Sequence, residues 1–356
     1  MPLALLPLLS LAMARGPAPH ADPGPHAGEP DTPRVVAVDS IALTVNDLDT
    51  SVEWYTRILD FREVSRRDLD GEPFERLVGV FGARARIATL ALADERIDLI
   101  DFITPDGRPM PPDSASRDHW FQHVAIIVSD MHTAVERLES HNVRRASFGP
   151  QRLPDWNPNA AGIEAMYFRD PDGHFLEILH FPSGKGDPRW HAPADRLFLG
   201  IDHTAIVTHD TEASLRFYRD TLGLRVAGHS DNYGIEQERL NAVFGARLRI
   251  TSLRADSGPA VELLEYRTPR GGRPAPADST PADLWHWHIT MRTDYSDALP
   301  TPLPAADPNT WPDLVESGHG SLVTAAPVDA DLPDLTSGPA LLARDPTGHA
   351  ILLHAR

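Results

Sequence analysis

The sequence predicts an α+β protein built from four modules, each running strand, helix and then three strands. Three observations lead to this prediction. The segment 80–84 (Val-Phe-Gly-Ala-Arg) recurs as 243–247, and the sequence on both sides of it matches in the same order. Runs with strand-like alternation and one run with helical spacing follow each other in a fixed order. That order occurs four times, which fits a chain of 356 residues.

The first module is the most regular. Residues 38–45 alternate like a strand. A helix is predicted from Asp47, a suitable N-cap, to Ile58, because apolar residues recur at helical spacing behind that cap. Three strand-like runs complete the module, at 61–67, 85–91 and 97–103.

The other modules repeat this order less and less closely. The second has predicted elements at 122–129 (strand), 130–142 (helix), 165–169 (strand) and 175–181 (strand). The third begins at Gly200 and the fourth at Trp287. Prolines crowd the fourth module between Pro300 and Pro312, so we expect a long loop there and a shortened helix at 312–317.

Composition excludes several classes of function. A net charge of −18 argues against nucleic acid or an anionic membrane surface as partner, since neither offers counter-charge. The chain has no cysteine, which excludes thiolate metal sites, catalytic thiols and disulfides. These exclusions are compatible with a small-molecule substrate, and the composition does not choose between a monomer and a homodimer.

The first residues allow two interpretations. Residues 3–14 form a short apolar run that ends in Ala-Met-Ala and suits a cleavage site. No Lys or Arg precedes the run, so a disordered tail or a wrongly chosen start codon explains it equally well. The protein is exported or periplasmic if residues 1–14 are a signal peptide, and cytoplasmic otherwise. Residues 16–33, rich in Pro, Gly, His and Ala, are predicted to be a linker.

Three segments carry a family resemblance. They are Asp-His-Thr-Ala-Ile-Val at 202–207, Gln-His-Val-Ala at 122–125 and Asp-Pro-Asp-Gly-His-Phe-Leu-Glu at 170–177. With the four modules, they resemble the vicinal oxygen chelate superfamily of glyoxalase I, extradiol dioxygenases, methylmalonyl-CoA epimerase and bleomycin-resistance proteins. The resemblance covers nearly everything from about residue 36 onward. The resemblance identifies the fold, but it says little about the reaction, because one fold supports several chemistries.

The resemblance implies that paired modules close a half-barrel around a divalent metal. We expect a signal or linker segment at 1–34, one vicinal oxygen chelate domain at 35–183 (modules one and two) and another at 197–356 (modules three and four). In the family, ligands come from the first and last strands of each module. The first-strand positions here are Ser40, His123, His203 and His288. The last-strand positions are Asp98, Glu177, Glu262 and Leu352.

Two ways of pairing the modules remain open. Sequential pairing, as in the extradiol dioxygenases, gives two sets of three candidates, namely Asp98, His123 and Glu177, and His203, Glu262 and His288. Crossed pairing, as in fused glyoxalase I chains, gives one complete set, namely His123, Glu177, His203 and Glu262. Leu352 has no donor atom and Ser40 is a poor one. We favour crossed pairing, because it places both losses in one degenerate site with Asp98 and His288.

The residue pattern supports a metal independently of the family. Glu177 shares a strand face with Phe175 and Leu179, and Glu262 shares one with Leu264. An ionised carboxylate on an apolar face is costly unless a cation or dense hydrogen bonding compensates it. A single strand His or Glu is more often structural or solvent-facing. Four positions that fall together on the family pattern, as the resemblance implies, favour one divalent ion (Zn, Ni, Co, Fe or Mn).

The resemblance implies a lyase or isomerase of the glyoxalase type. The metal would stabilise an enediolate as a Lewis acid, with Glu177 and Glu262 as the catalytic carboxylates. Two alternatives are an extradiol-type dioxygenase with Fe or Mn, and a non-catalytic binding protein of the bleomycin-resistance type. Tyr233 and Glu236 are candidate substrate contacts, although we favour an ordinary turn for their segment, 232–237. Trp156 is a further candidate, in a loop that would form a lid.

Overall fold

The computed structural model describes residues 34–192, 195–293, 321–324, 328–329 and 339–354. The predicted signal and linker segment, the proline-rich loop and the helix expected at 312–317 lie outside the described residues. No helix within these ranges is long and apolar enough to cross a bilayer.

The first module contains four strands and two helices. Its elements are β1 (Val35–Val45), α1 (Leu48–Leu59), β2 (Arg62–Leu69), α2 (Glu72–Val78), β3 (Arg84–Leu92) and β4 (Glu95–Thr104). Helix α1 begins where predicted, because the Asp47 carboxylate accepts a hydrogen bond from the backbone N–H of Thr50 at 2.7 Å.

The remaining modules follow the same plan. The second contains β5 (Gln122–Val128), α3 (Met131–Ser140), β6 (Gln151–Arg152), β7 (Glu164–Arg169) and β8 (Phe175–His180). The third contains β9 (Phe198–Thr208), α4 (Thr211–Leu215), a π-helical turn at Arg216–Thr221, β10 (Arg225–Tyr233), α5 (Ile235–Asn241), β11 (Arg247–Arg254) and β12 (Ala260–Thr268). The described part of the fourth contains β13 (Trp287–Thr293), β14 (Ser321–Leu322), β15 (Val328–Asp329), β16 (Pro339–Arg344) and β17 (Ala350–His354).

Two sheets result, and they confirm the crossed pairing. The outer-module sheet joins modules one and four in the order β14-β16-β17-β13-β1-β4-β3-β2. The inner-module sheet joins modules two and three in the order β10-β11-β12-β9-β5-β8-β7-β6. At the centre of each sheet the first strands of two modules run antiparallel, β1 beside β13 and β5 beside β9. Each sequence half therefore contributes one module to each sheet.

Apolar packing fixes both faces of the sheets. One apolar cluster joins helix α1 to strands of both sheets. It includes Leu43 on β1, Tyr55 on α1 and Ile126 on β5. The inner face of the outer-module sheet is filled by a second cluster, which includes Phe74 and Leu352. The inner face of the inner-module sheet carries an apolar cluster of its own, which includes Phe121 and Leu264.

The connectors between modules brace the crossed pairs in matching ways. Arg108, after module one, donates to the buried Asp283 and lies 4.8 Å from the Trp285 ring centre. Arg273, after module three, donates to the buried Asp118 at 2.7 Å, and its guanidinium lies 4.9 Å from the Trp120 ring centre. Each bridge joins the two modules of one sheet.

One prediction about local structure is wrong. Segment 232–237 is not an ordinary turn, because β10 continues to Tyr233 and helix α5 begins at Ile235. Gly234, with φ of 98°, allows the abrupt change from strand to helix. Gly71 plays the same part before α2, with φ of 86°.

Candidate metal centre

Four adjacent strands of the inner-module sheet bring the predicted ligands together. His203 on β9 lies opposite Ala125 on β5, and His123 lies opposite Ala205. Glu177 on β8 also pairs with Ala125. The register places Glu262 on β12 beside Ala205 in the same way. The two alanines leave room between the strands for the four longer side chains.

The donor atoms of these side chains converge. The Nε2 atoms of His123 and His203 lie 3.4 Å apart. Glu177 Oε2 lies 3.2 Å from His123 Nε2 and 3.7 Å from His203 Nε2. In the described part of the chain, these three residues form a group whose ligand atoms all lie within 4.8 Å of one another. Glu262 Oε2 lies 3.5 Å from His203 Nε2, and its side chain keeps 21% of its surface exposed.

Asp202 orients His203. The Asp202 carboxylate lies 3.0 Å from Nδ1 of His203, which assigns the proton to Nδ1 and turns the Nε2 lone pair toward the other donors. Burial alone lowers the pKa of His203. The carboxylates of Glu262, Asp202 and Glu177 outweigh burial and raise that pKa to about 9. The site therefore has an excess of negative charge that favours a cation.

The donor set fits a divalent metal ion. Two buried imidazole nitrogens and a carboxylate oxygen face one point, and a second carboxylate lies at its edge. Within the described residues, Nδ1 of His123 has no hydrogen-bond partner, and the ring is held by packing against Phe121 and Tyr167. Nitrogen and oxygen ligands suit Zn, Ni, Co, Fe or Mn, and they do not choose among them.

The corresponding positions of the outer-module sheet form no such group within the described residues. The hydroxyls of Ser40 and Thr89 donate to the carboxylate of Asp98, and burial raises the pKa of Asp98. His288 is buried, and burial lowers its pKa to about 4. Leu352 belongs to the apolar cluster that fills this sheet.

The sequential ligand sets are not brought together. Asp98 lies in the outer-module sheet, whereas His123 and Glu177 lie in the inner-module sheet. His288 is likewise in a different sheet from His203 and Glu262. Sequential pairing is therefore excluded.

The predicted substrate contacts lie at the edges of the inner-module sheet. The rings of Trp156 and Tyr233 stack with centres 4.2 Å apart, and both side chains are about half exposed. Asn157, beside Trp156, donates to Asn232 at 2.8 Å, so this loop bridges module two to β10. Glu236 lies in the first turn of α5.

Sequence reasoning missed Asp202, whose place immediately before His203 was the available signal. The sequence indicated that segment 232–237 could line a substrate cavity with amide and phenol groups, but not that its Gln237 joins Asn241 and Tyr266 in a buried hydrogen-bonded group. A comparison of the two repeats was the signal for these residues, because their counterparts Phe74, Val78 and Phe102 are apolar.

Comparison with known proteins agrees with this architecture. A 2-epi-5-epi-valiolone epimerase from Actinomyces sp is 33% identical over 156 residues, which are 43% of this chain and 83% of the epimerase. An iron-dependent extradiol dioxygenase from Rhodococcus jostii (strain RHA1) is 40% identical over 67 residues, 18% of this chain and 22% of that protein. Glyoxalase I from Zea mays has a similar fold, with a TM-score of 0.54 and 16% identity over 90% of this chain and 92% of that one.

A family model matches the chain twice. The Glyoxalase/Bleomycin resistance protein/Dioxygenase superfamily model covers residues 37–178 and 200–352, which together are most of the sequence. The chain belongs to this superfamily.

Proposed function

We propose that this protein is a metal-dependent isomerase or lyase of the glyoxalase type that moves a proton next to a carbonyl group of a small substrate. It would have one active centre, in the inner-module sheet, and one degenerate centre, in the outer-module sheet. The observation that carries the proposal is the convergence of His123, Glu177 and His203 in a buried group. Similarity to an epimerase supports the isomerase form of the reaction.

His123 and His203 would hold the ion together with Glu177 and Glu262. When bound, a divalent metal supplies Lewis-acid stabilisation of negative charge on substrate oxygens. Asp202 keeps the Nε2 lone pair of His203 directed at the centre. His203 is thereby reserved for binding.

The carboxylates are left for proton transfer. Glu177 is the proposed base, since a carboxylate that loosens at the centre accepts a proton from the adjacent carbon and returns it. Its Oε2 lies 3.2 Å from His123 Nε2 and 3.7 Å from His203 Nε2, so this carboxylate would both help to hold the ion and lie beside a bound substrate. Glu262 is more exposed and lies at the edge of the group, where it is placed to exchange protons with solvent or substrate.

Proton exchange tests the proposal directly. The metal-loaded protein is incubated in D₂O with 2-epi-5-epi-valiolone, on which the relative acts by its name, and with simpler hydroxy-ketones. NMR then follows deuterium at the carbon next to the carbonyl. We expect exchange by the wild type and at least a hundredfold slower exchange by Glu177→Gln, the magnitude typical of a general base. Equal rates at equal metal content would remove Glu177 from this role.

A dioxygenase is the second candidate, and one observation favours it. Two histidines and one carboxylate form the tightest group, which is the ligand composition of non-haem Fe(II) oxygenases. The partial similarity to an extradiol dioxygenase agrees with this composition. Oxygen uptake with a catechol by the Fe(II)-loaded protein would favour the dioxygenase. A purified protein with less than about 0.1 metal per chain would favour the non-catalytic binder.

A further inference from the structure

We infer that the substrate of this centre is a neutral, hydroxyl-rich molecule, recognised by buried amide and phenol side chains beside the metal ligands. The inference rests on the proposed function and adds the substrate class to it. The residues concerned form an amide relay, defined here as Asn157, Asn232, Gln237, Asn241 and Tyr266.

The relay is a continuous chain of buried hydrogen bonds. The Asn157 amide donates to Asn232 Oδ1 at 2.8 Å, and the Asn232 amide donates to Gln237 Oε1 at 3.1 Å. The Gln237 amide donates to Asn241 Oδ1, and the Asn241 amide donates to the Tyr266 hydroxyl at 2.7 Å. Each of the five side chains is at least nine-tenths buried. The chain thus runs from the loop of module two into the half-barrel.

Tyr167 connects the relay to the metal ligands. It lies directly opposite Glu177 in the β7–β8 pair, and its ring centre is 5.0 Å from that of His123. Its ring belongs to the same buried cluster as that of Tyr266, the last member of the relay. The relay therefore ends at the edge of the metal centre.

The duplicated half of the chain shows that the fold does not require these polar groups. Helices α2 and α5 precede the repeated Val-Phe-Gly-Ala-Arg segment by the same spacing, so positions in the two sheets can be matched directly. The outer-module residues at the positions of Asn232, Gln237, Asn241, Tyr266 and Tyr167 are Leu69, Phe74, Val78, Phe102 and Leu342. All five of these are buried and apolar.

The contrast has an energetic meaning. Burying an amide costs free energy that its hydrogen bonds offset only in part, whereas an apolar side chain at the same place stabilises the core. The same chain folds with the apolar set in one half-barrel. The polar set occurs only in the half-barrel that keeps Glu177 and His203. We attribute the polar set to ligand recognition rather than to folding.

The groups of the relay define the ligand chemistry. Carboxamides and phenols carry both donors and acceptors and have no net charge. The relay contacts use one N–H and one oxygen lone pair of Asn232 and of Gln237, which leaves each with a further donor and acceptor. Hydroxyl groups also both donate and accept. A molecule with several hydroxyls matches this surface.

An anionic substrate does not match it. The buried guanidinium of Arg169, on the same strand as Tyr167, donates to the carbonyl oxygens of Gly173 and Ser114 at 2.6 Å each. The charges that act on Tyr266 come from Arg117 and Asp118, which are neighbours of opposite sign. A carboxylate or phosphate placed against the relay would lose its hydration and gain only neutral amide and phenol partners there.

A matched pair of probes tests the substrate class. Scyllo-inosose is a neutral cyclohexanone in which each of the remaining ring carbons carries a hydroxyl. Dehydroquinate is a hydroxylated cyclohexanone that carries a carboxylate. Calorimetry measures the binding of each to the protein with its metal as purified. We expect the wild type to bind the neutral probe at least tenfold more tightly than the anionic one.

Substitutions then assign the selectivity to the relay. Asn241→Val introduces the residue of the degenerate copy and should weaken binding of the neutral probe by about tenfold or more, because ligand hydrogen bonds are lost. The control is Thr44→Val, which removes a buried hydroxyl that donates to the Pro281 carbonyl in the other sheet. It should bind the probe like the wild type.

A second variant covers the case in which Asn241→Val does not fold. It replaces all four inner relay residues together by the apolar set of the other copy, as Asn232→Leu, Gln237→Phe, Asn241→Val and Tyr266→Phe. Its packing has a precedent in the same chain. We expect it to keep its metal and to lose the neutral probe.

Metal analysis of every variant separates the two proposals. A purified wild type that contains no bound metal would contradict the proposed function. With the metal retained, tighter binding of dehydroquinate, binding of neither probe, or wild-type affinity in the relay variants would overturn the assignment of the substrate class.

Discussion

His203 Nε2 lies 3.7 Å from Glu177 Oε2, although the two residues belong to different modules and to different halves of the sequence. This contact exists because β9 pairs with β5, and β5 pairs in turn with β8. It joins modules two and three around one group of donors. The outer modules pair with each other and retain only remnants of a second group.

Metal content provides the first prediction. We expect about one divalent ion per chain, lost in both His203→Ala and Glu177→Ala, because the two side chains face one another in a single centre. His288→Ala is the control and should keep the ion, since His288 lies in the other sheet. Elemental analysis of the purified proteins measures all four. Near-full metal content in Glu177→Ala would mean that Glu177 is not a ligand of the ion.

Metal affinity of an Asp202 variant provides the second prediction. Asp202→Asn removes the carboxylate that accepts from Nδ1 of His203 and should weaken metal binding by about 10- to 100-fold. Competition with a chelator measures this change. Asp39, the counterpart in the outer-module sheet, contacts Arg292 and His354 instead. Asp39→Asn should leave the affinity unchanged, and equal affinity in both variants would mean that Asp202 does not orient the ligand.

The regular elements could be predicted from the sequence because periodicity and caps are local signals. Asp47 identifies the start of α1, and the loss of donors at Ser40 and Leu352 is enough to favour crossed pairing. Helices α2 and α5 could not be predicted in this way, since each follows a glycine and has no side-chain cap at its N-terminus.

The relay was hidden for a different reason. A single buried amide such as Asn241 gives no recognisable pattern in the sequence. Its meaning depends on contacts to Gln237 and Tyr266 and on the valine at the matching position of the other sheet. The spacing of the repeats gives that valine from the sequence, whereas the contacts that give it meaning are visible only in the structure.

Stability of the connector bridge provides the third prediction. Arg273 donates to both carboxylate oxygens of the buried Asp118, at 3.0 and 2.7 Å. Arg273→Ala leaves that carboxylate with backbone donors alone and no charged partner, and should lower the free energy of unfolding by about 2 kcal/mol, the size of a lost hydrogen bond to a charged group. Urea denaturation measures the change.

A surface pair supplies the control for that bridge. Arg219 pairs with Asp220, and both side chains are nearly half exposed. Arg219→Ala should change the free energy of unfolding by less than about 0.5 kcal/mol. Similar losses in the two variants would show that the bridge between modules adds nothing beyond surface charge.

Acid sensitivity of the degenerate half-barrel provides the fourth prediction. Burial lowers the pKa of His288 from its ordinary 6.5 to about 4, and its Nε2 has no hydrogen-bond partner within the described residues. The unfolded chain therefore binds a proton at a higher pH than the folded chain does. The stability that depends on neutral His288 is present above pH 6.5 and is lost as the pH falls toward 4. The full loss is about 3 kcal/mol.

His288→Leu should remove this dependence. The leucine would join the apolar cluster around Leu352, so we expect equal or greater stability at pH 7 and a smaller loss between pH 7 and pH 4. Urea denaturation across this pH range measures both quantities. His132→Gln changes an exposed histidine and should keep the wild-type pH profile, because that side chain is in contact with water in the folded chain as in the unfolded one. If His288→Leu and wild type lose stability in parallel, the acid sensitivity arises elsewhere, and the unpartnered imidazole is not the weak point of this half-barrel.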